Sequence, residues 1–218
     1  MSKIVTTADG SHTIYVPEMD DHYHSVNGAI HESEHIFIKS GFEFCKTDPL
    51  YIFEVGFGTG LNALLTAINS LNGEREVFYT AVEKYPLDEL TLRSLNYNLF
   101  TGNDGSRIFR LIHESGWGKM NHICRNFSLM KIRSDLVCDD ISGLFGLIYF
   151  DAFGPDKQPK MWTMDIFRKI SEITLPGGVL VTYSSKGDVK RNLRNSGFTV
   201  TLLPGPPGKR HFIRAVKI

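Results

Sequence analysis

The chain has 218 residues, 42% of them hydrophobic and 22% charged, with a formal net charge of zero. That balance supports one packed domain and excludes a disordered chain. It carries no bulk charge that would announce a nucleic-acid binder, and no apolar run nears the roughly 20 residues of a bilayer-spanning helix. Met1 to Gly10 lacks the basic-then-apolar order of a signal peptide. Cys45, Cys124 and Cys138 are scattered, without zinc-site spacing or disulfide density. These features predict a cytoplasmic protein with reduced thiols, and the eight histidines form no ligand pair that would imply a metal.

Residues 1–48 read as a mixed N-terminal extension ahead of a regular domain over 49–218. Thr13 to Pro17 suits a short strand, and Ile30, Ile36 and Phe37 fall on one helical face. From Tyr51 a strand runs to Val55, followed by a helix from Leu61 to about Ser70. Val77 to Val82 is the next strand, ending at Glu83. A helix is expected from Pro86 to about Asn98, with proline placed at its first turn. Ile123 to Ile132 alternates around Arg125-Asn126 and suits a hairpin leading to Asp135. Gly146 to Phe150 is a compact apolar strand ending at Asp151.

A helix from Met164 to about Thr174 stops before Pro176-Gly-Gly, and Gly178 to Tyr183 is a further strand. Lys186 to Asn195 suits a helix closed by Gly197. Phe198 to Leu203 and His211 to Val216 then form a closing hairpin around Pro204-Gly-Pro-Pro-Gly208. Strands alternating with helices predict an α/β fold with a mostly parallel sheet covered on both faces.

The segment Glu54-Val-Gly56-Phe57-Gly58-Thr59-Gly60-Leu61-Asn62 joins a strand to a helix through alternate glycines. Glycine there permits positive φ and close approach of a ligand, beside the free N–H groups of a helix start. The dinucleotide fingerprint would need glycine at position 61, where this chain has leucine, so NAD is not expected. With an acidic residue before it, the turn resembles the S-adenosylmethionine loop of class I methyltransferases. That fold implies a Rossmann-like, seven-stranded sheet with a C-terminal antiparallel hairpin.

Ligands of open α/β sheets bind at the carboxyl ends of the strands, which marks the residues there. Glu83, with Lys84 beside it, can accept both ribose hydroxyls. Asp135 can accept from an adenine amino group, with Asp139 and Asp140 as competitors. Asp151 opens the turn Asp151-Ala-Phe153-Gly-Pro155. A carboxylate there can align an acceptor amine and take its proton, or the residue can simply cap the turn.

The run from Leu147 to Trp162, with Asp151, Phe153, Pro155, Lys157, Pro159 and Met161-Trp162 in order, closely resembles the signature of the methyltransferase domain of MnmC and its stand-alone form MnmD. The glycine turn, Thr182-Tyr-Ser-Ser185, the Pro204 to Arg210 tail and Tyr23-His-Ser with Glu32 to Phe37 agree with that family. The last of these resembles its N-terminal lid segment. His113 to Lys119 departs from it, with fewer prolines than relatives carry.

The resemblance implies a methyltransferase that uses S-adenosylmethionine on the exocyclic amine of 5-aminomethyl-(2-thio)uridine at the tRNA wobble position. In two-domain relatives an FAD-dependent oxidase domain follows. This chain ends at Ile218, so FAD is not expected. Cofactor contacts are expected from Glu54, Gly56, Phe57, Gly58, Thr59, Gly60, Asn62, Glu83, Lys84, Asp135 and Asp151. Asp151 and Phe153 are expected to be the catalytic residues.

The end from Lys186 to Ile218 carries 8 basic residues against Asp188 alone. Lys186, Lys190, Arg191, Arg194, Lys209 and Arg210 therefore read as phosphate contacts to the tRNA anticodon arm, with Lys157 and Lys160 beside the acceptor pocket. Phe153 or Trp162 would stack on the splayed-out base, unless Trp162 is a core anchor. An aminopropyltransferase or another methyltransferase of small amines, and a non-catalytic RNA-binding module, are the competing readings.

Overall fold

The computed structural model describes residues 2–218. Strands β1 (Lys3–Thr6), β2 (His12–Val16) and β3 (Asp21–His22) form a small antiparallel sheet of their own. Helix α1 (Ala29–Ser33) widens without a break into a π-helical segment, Glu34–Phe42, which buries Ile36, Phe37 and Ile38 against the main sheet.

The main sheet begins with β4 (Leu50–Val55), which leads into α2 (Leu61–Ser70) and β5 (Val77–Glu83). Helices α3 (Glu89–Arg93) and α4 (Gly102–Glu114) precede the hairpin of β6 (Met120–Cys124) and β7 (Phe127–Arg133). Then come β8 (Phe145–Phe150), α5 (Met164–Glu172), β9 (Thr174–Thr182), α6 (Gly187–Asn195), β10 (Phe198–Pro204) and β11 (His211–Lys217). The strand order is β10-β11-β9-β8-β4-β5-β7-β6, with the five strands from β9 to β7 parallel.

The expected closing hairpin is present: β11 runs antiparallel to both β9 and β10. An eighth strand, β6, extends the opposite edge beyond the seven expected, because Asn126 takes φ 62° and turns β6 back onto β7. The β8 sequence Phe-Gly-Leu-Ile-Tyr-Phe is buried at every position, as a central parallel strand covered on both faces requires. One face packs Leu147 and Tyr149 with α2 and the π-helical segment; the other packs Ile148 and Phe150 with α5 and α6.

The helix expected over 86–98 is broken into pieces. Asp88 accepts from the Thr91 N–H at 2.9 Å and so starts α3 late. The chain leaves α3 at Ser94, and a separate 3₁₀ turn spans Tyr97–Phe100. Helix α4 follows where no helix was expected. It buries Ile108 and Ile112 on one stripe. Among the described residues no helix is long and apolar enough to cross a membrane.

The chain leaves β4 for β5 on one side and returns through β8 on the other. The topological switch point therefore lies between β4 and β8, where the glycine turn and Asp151 sit next to each other.

Candidate active site

Gly56, Gly58 and Gly60 take φ values of 89°, 49° and 73°, a backbone path that side-chain-bearing residues resist. A Cβ on Gly56 would stand 2.8 Å from the Asp151 carbonyl oxygen, so glycine lets the β4 and β8 turns meet. A Cβ on Gly58 would stand 2.9 Å from the ring of Tyr23, which the N-terminal segment lays over the turn. That segment is fixed to the turn from beneath as well. The His24 Nε2 lies 2.7 Å from the Thr59 hydroxyl, and burial pushes the imidazole down to about 4, so it stays neutral.

These elements enclose a cavity of about 1150 Å³ along the carboxyl ends of β4, β5, β7 and β8. At the end of β5, Glu83 accepts from the backbone N–H of Gly58 at 3.0 Å and of Tyr85 at 2.8 Å. This holds the carboxylate against the turn while leaving lone pairs for a ligand. Across the mouth, Lys84 and Asp135 form an ion pair at 2.7 Å, and that bond holds Asp135 below the usual carboxylate range.

At the switch point the Asn62 amide donates to Glu54 Oε1 at 3.0 Å and to Asp151 Oδ2 at 2.8 Å. Glu54 is 1% exposed, and desolvation pushes its carboxyl well above the ordinary value, which favours the neutral acid. Burial also pushes Asp151 up to about 7, with the Glu32 charge adding and Asn62 and Lys209 opposing. Asn62 Oδ1 is buried with no hydrogen-bond partner. A buried acceptor of this kind calls for a donor-bearing ligand or water. With the glycine cradle and the Glu83 carboxylate, it fits a nucleoside cofactor that carries an amino group.

Residues 116–218 match the family described as S-adenosyl-L-methionine-dependent methyltransferase. The chain is 30% identical, over 89% of its length, to the tRNA 5-methylaminomethyl-2-thiouridine biosynthesis bifunctional protein MnmC of Campylobacter hominis, and covers 30% of that protein. It is 29% identical over 94% of its length to the MnmC of Magnetococcus marinus, covering 32% of it. The crystal structure of MnmC2 from Aquifex aeolicus superposes with a TM-score of 0.81 at 26% identity, covering 99% of this chain and 69% of that one. Over most of its own length the chain is similar to the MnmC proteins and to MnmC2. It spans about a third of the length of the curated MnmC proteins it matches. Spermidine synthase from Thermotoga maritima, at TM-score 0.57 and 11% identity, shares the fold alone.

The cofactor named in the description of the matched family is S-adenosylmethionine. Of the residues expected to touch it, Gly56, Phe57, Gly58, Asn62, Glu83, Lys84, Asp135 and Asp151 line the cavity. Glu54, Thr59 and Gly60 lie behind the lining, with Glu54 reaching it through Asn62 and Thr59 held by His24. Phe153, Lys157 and Lys160 line the cavity too, and the Phe153 ring meets Tyr23 edge-on at 5.0 Å. Lys186, Lys190, Arg191 and Arg210 lie outside it, where Lys186 pairs with Asp156 and Arg191 with Asp188.

Two expectations need correction. Trp162 is 4% exposed and packs among Phe150, Phe167 and Tyr183, with its indole N–H donating to the Phe153 carbonyl at 2.8 Å. It anchors the Asp151 turn and has no free face on which to stack a base. Lys209 turns inward: its ammonium pairs with Glu32 and lies 4.2 Å above the Tyr183 ring. Its ammonium is engaged by that ring and carboxylate on the cavity wall, apart from the outer surface that carries Lys190 and Arg191.

Glu32 and Tyr183 are wall residues that the strand-end argument did not assign. Tyr183, directly after β9, carried the same strand-end signal as Asp151. Glu32 stood in the sequence only as part of the block that resembles the lid segment, with no role of its own.

Proposed function

We propose that this protein methylates the exocyclic amine of 5-aminomethyl-(2-thio)uridine at the tRNA wobble position, in the cytoplasm. The observation that carries this reading is the Asp151 carboxyl at the floor of the cavity whose walls include the glycine turn and Glu83. MnmC relatives named for 5-methylaminomethyl-2-thiouridine biosynthesis support the choice of acceptor.

S-adenosylmethionine, when bound, supplies an electrophilic methyl group on a sulfonium. Glu83 would hold the ribose hydroxyls and Asp135 the adenine amino group, while Asn62 and Glu54 would face the amino-acid end. An amine can accept a methyl group only through a free lone pair. The protein's tasks are therefore to align the amine, to remove its proton and to exclude water. Asp151 accepts an amine N–H, and its raised affinity for protons suits it to take one near neutrality. Phe153 and Tyr23 wall the amine off from solvent. Fixed alignment of this kind supplies several kcal/mol of the barrier reduction.

Residues 1–48 act as a lid on the domain formed by 49–218. Lys157 and Lys160 at the mouth, with Lys186, Lys190, Arg191 and Arg210 outside, would contact phosphates of the anticodon arm and set the position of the tRNA without reading its sequence. The protein is incubated with S-adenosylmethionine and tRNA lacking this modification, and the nucleosides are analysed by mass spectrometry. The expected result is conversion of the wobble 5-aminomethyl form to its methylaminomethyl form. A protein that binds S-adenosylmethionine but leaves that nucleoside unchanged would overturn the assignment.

A further inference from the structure

The cavity holds an ion pair that the cofactor does not require. Glu32 belongs to α1 in the N-terminal segment, and Lys209 belongs to the turn between β10 and β11, 177 positions later. Their side chains are 9% and 28% exposed. Glu32 also accepts the backbone N–H of Ser25 at 3.0 Å. The Lys209 ammonium caps the Tyr183 ring at 4.2 Å, and the Tyr183 hydroxyl donates to the carbonyl of Ala152, the residue after Asp151, at 2.8 Å.

Glu32, Lys209, Tyr183 and Asp151 all line the same cavity. The charged and titratable groups facing Asp151 are Glu32 from α1, Lys209 from the β10–β11 turn, Glu54 from β4, Tyr79 from β5 and Tyr183 after β9. Burial keeps Tyr79 and Tyr183 protonated and favours neutral Glu54. Glu32 and Lys209 then act on the Asp151 carboxyl with opposite signs.

We propose that Glu32 and Lys209 form a positioning pair for methyl transfer: the ion pair fixes the net charge around Asp151 and so decides in which pH range the pocket takes up a proton from an acceptor amine. In that step an N–H bond of the acceptor ammonium breaks and the lone pair stays on nitrogen. The proton forms an O–H bond with the Asp151 carboxylate. With Lys209 in place the Glu32 charge is balanced, and Asp151 can ionise near neutral pH. This inference rests on Asp151 receiving the amine, as proposed above.

The test follows the Asp151 carboxyl directly, by carbon-13 NMR of protein labelled at aspartate side chains, with the signal assigned by its loss in Asp151→Asn. Lys209→Met should move the Asp151 titration to higher pH by about one unit, and Glu32→Gln should move it to lower pH by a similar amount. Lys209→Arg, which keeps the charge, should leave it in place. The acidic limb of the single-turnover rate with hypomodified tRNA should shift in the same directions, so that Lys209→Met loses about tenfold near pH 7 and recovers at pH 9.

A pair that served only to latch the lid would shift neither titration, or would shift both variants in one direction; either result overturns the proposal. The NMR titration needs no tRNA. A protein that fails to methylate tRNA while the two titrations move apart would refute the substrate assignment and leave the pair's role standing. Thermal melts identify any variant that has not folded, and Lys209→Gln then replaces Lys209→Met.

Discussion

Asn62 on α2 donates to Asp151, 89 positions away at the end of β8, at 2.8 Å. The same amide donates to Glu54, so one neutral side chain bonds both to a buried carboxyl and to the partly buried one of Asp151. This arrangement holds Asp151 in a fixed orientation. Asp151→Ala should therefore leave S-adenosylmethionine affinity within a few fold and cut turnover by about 10²-fold, because alignment matters in the transition state. Single-turnover kinetics decide it: a near-normal rate would reduce Asp151 to a turn cap.

The protonation of Asp151 has a second consequence, for stability. Its carboxyl rises from 3.8 to about 7 on folding, so the native state binds the proton more tightly than the unfolded chain does. The stability this contributes is fully present below about pH 4 and is lost as pH rises through about 7. Asp151→Asn removes the titration. Between pH 5 and pH 8 the melting temperature of the wild type should fall by more than that of Asp151→Asn. Parallel melting curves across that range would show that the carboxyl does not retain its proton in the folded protein.

Gly58→Val should abolish S-adenosylmethionine binding and leave the fold intact. At φ 49° a branched side chain is strained, and its Cβ would meet the Tyr23 ring at 2.9 Å. Titration calorimetry of wild type and variant, with NAD as a control ligand, checks this. Heat from NAD but none from S-adenosylmethionine in the wild type would contradict the cofactor.

Trp162→Ala should cost about 3–5 kcal/mol of stability, as for other large buried aromatic residues, whereas Trp162→Phe should cost less and keep tRNA affinity. Chemical denaturation with tRNA binding measures both. A Trp162→Phe protein of normal stability that binds tRNA poorly would return the indole to the interface.

Reversing Lys190 and Arg191 to glutamate should raise the apparent KM for tRNA several-fold without changing S-adenosylmethionine affinity. Each lost phosphate contact should also flatten the log–log salt dependence of binding by about one unit at most. Arg191 already pairs with Asp188, so the Lys190 single reversal separates the two contributions. Unaltered tRNA binding and salt slope in the double variant would move the docking surface to Lys157, Lys160 and Arg210.

The parts of the fold that could be read from the sequence are those where local chemistry and tertiary context agree. Alternate glycines before Leu61 mark the β4 turn, and a wholly apolar run marks β8. The 86–98 region misled because its helix-forming composition hides the Asp88 cap and the burial of Leu95 and Tyr97, which pull the chain into a turn. Helix α4 was hidden by Gly102 and Gly105. A Cβ on Gly105 would overlap the Thr101 hydroxyl, so that glycine serves packing against the preceding turn and does not end the helix.

In the site, each strand-end acid announced itself by position. The partnership of Glu32 with Lys209 did not, since nothing local relates residues 177 positions apart. A lysine among surface-type residues also reads as solvated until the turn that carries it is seen folding over Tyr183.

The β10–β11 hairpin meets the N-terminal segment: His35 Nε2 lies 2.8 Å from the Pro204 carbonyl oxygen at the end of β10, and Lys209 in the turn pairs with Glu32. During synthesis the glycine turn, Glu83 and Asp151 therefore all leave the ribosome well before the wall that completes their cavity. The cavity gains that wall only when Lys209, made 177 positions after Glu32, folds back onto it.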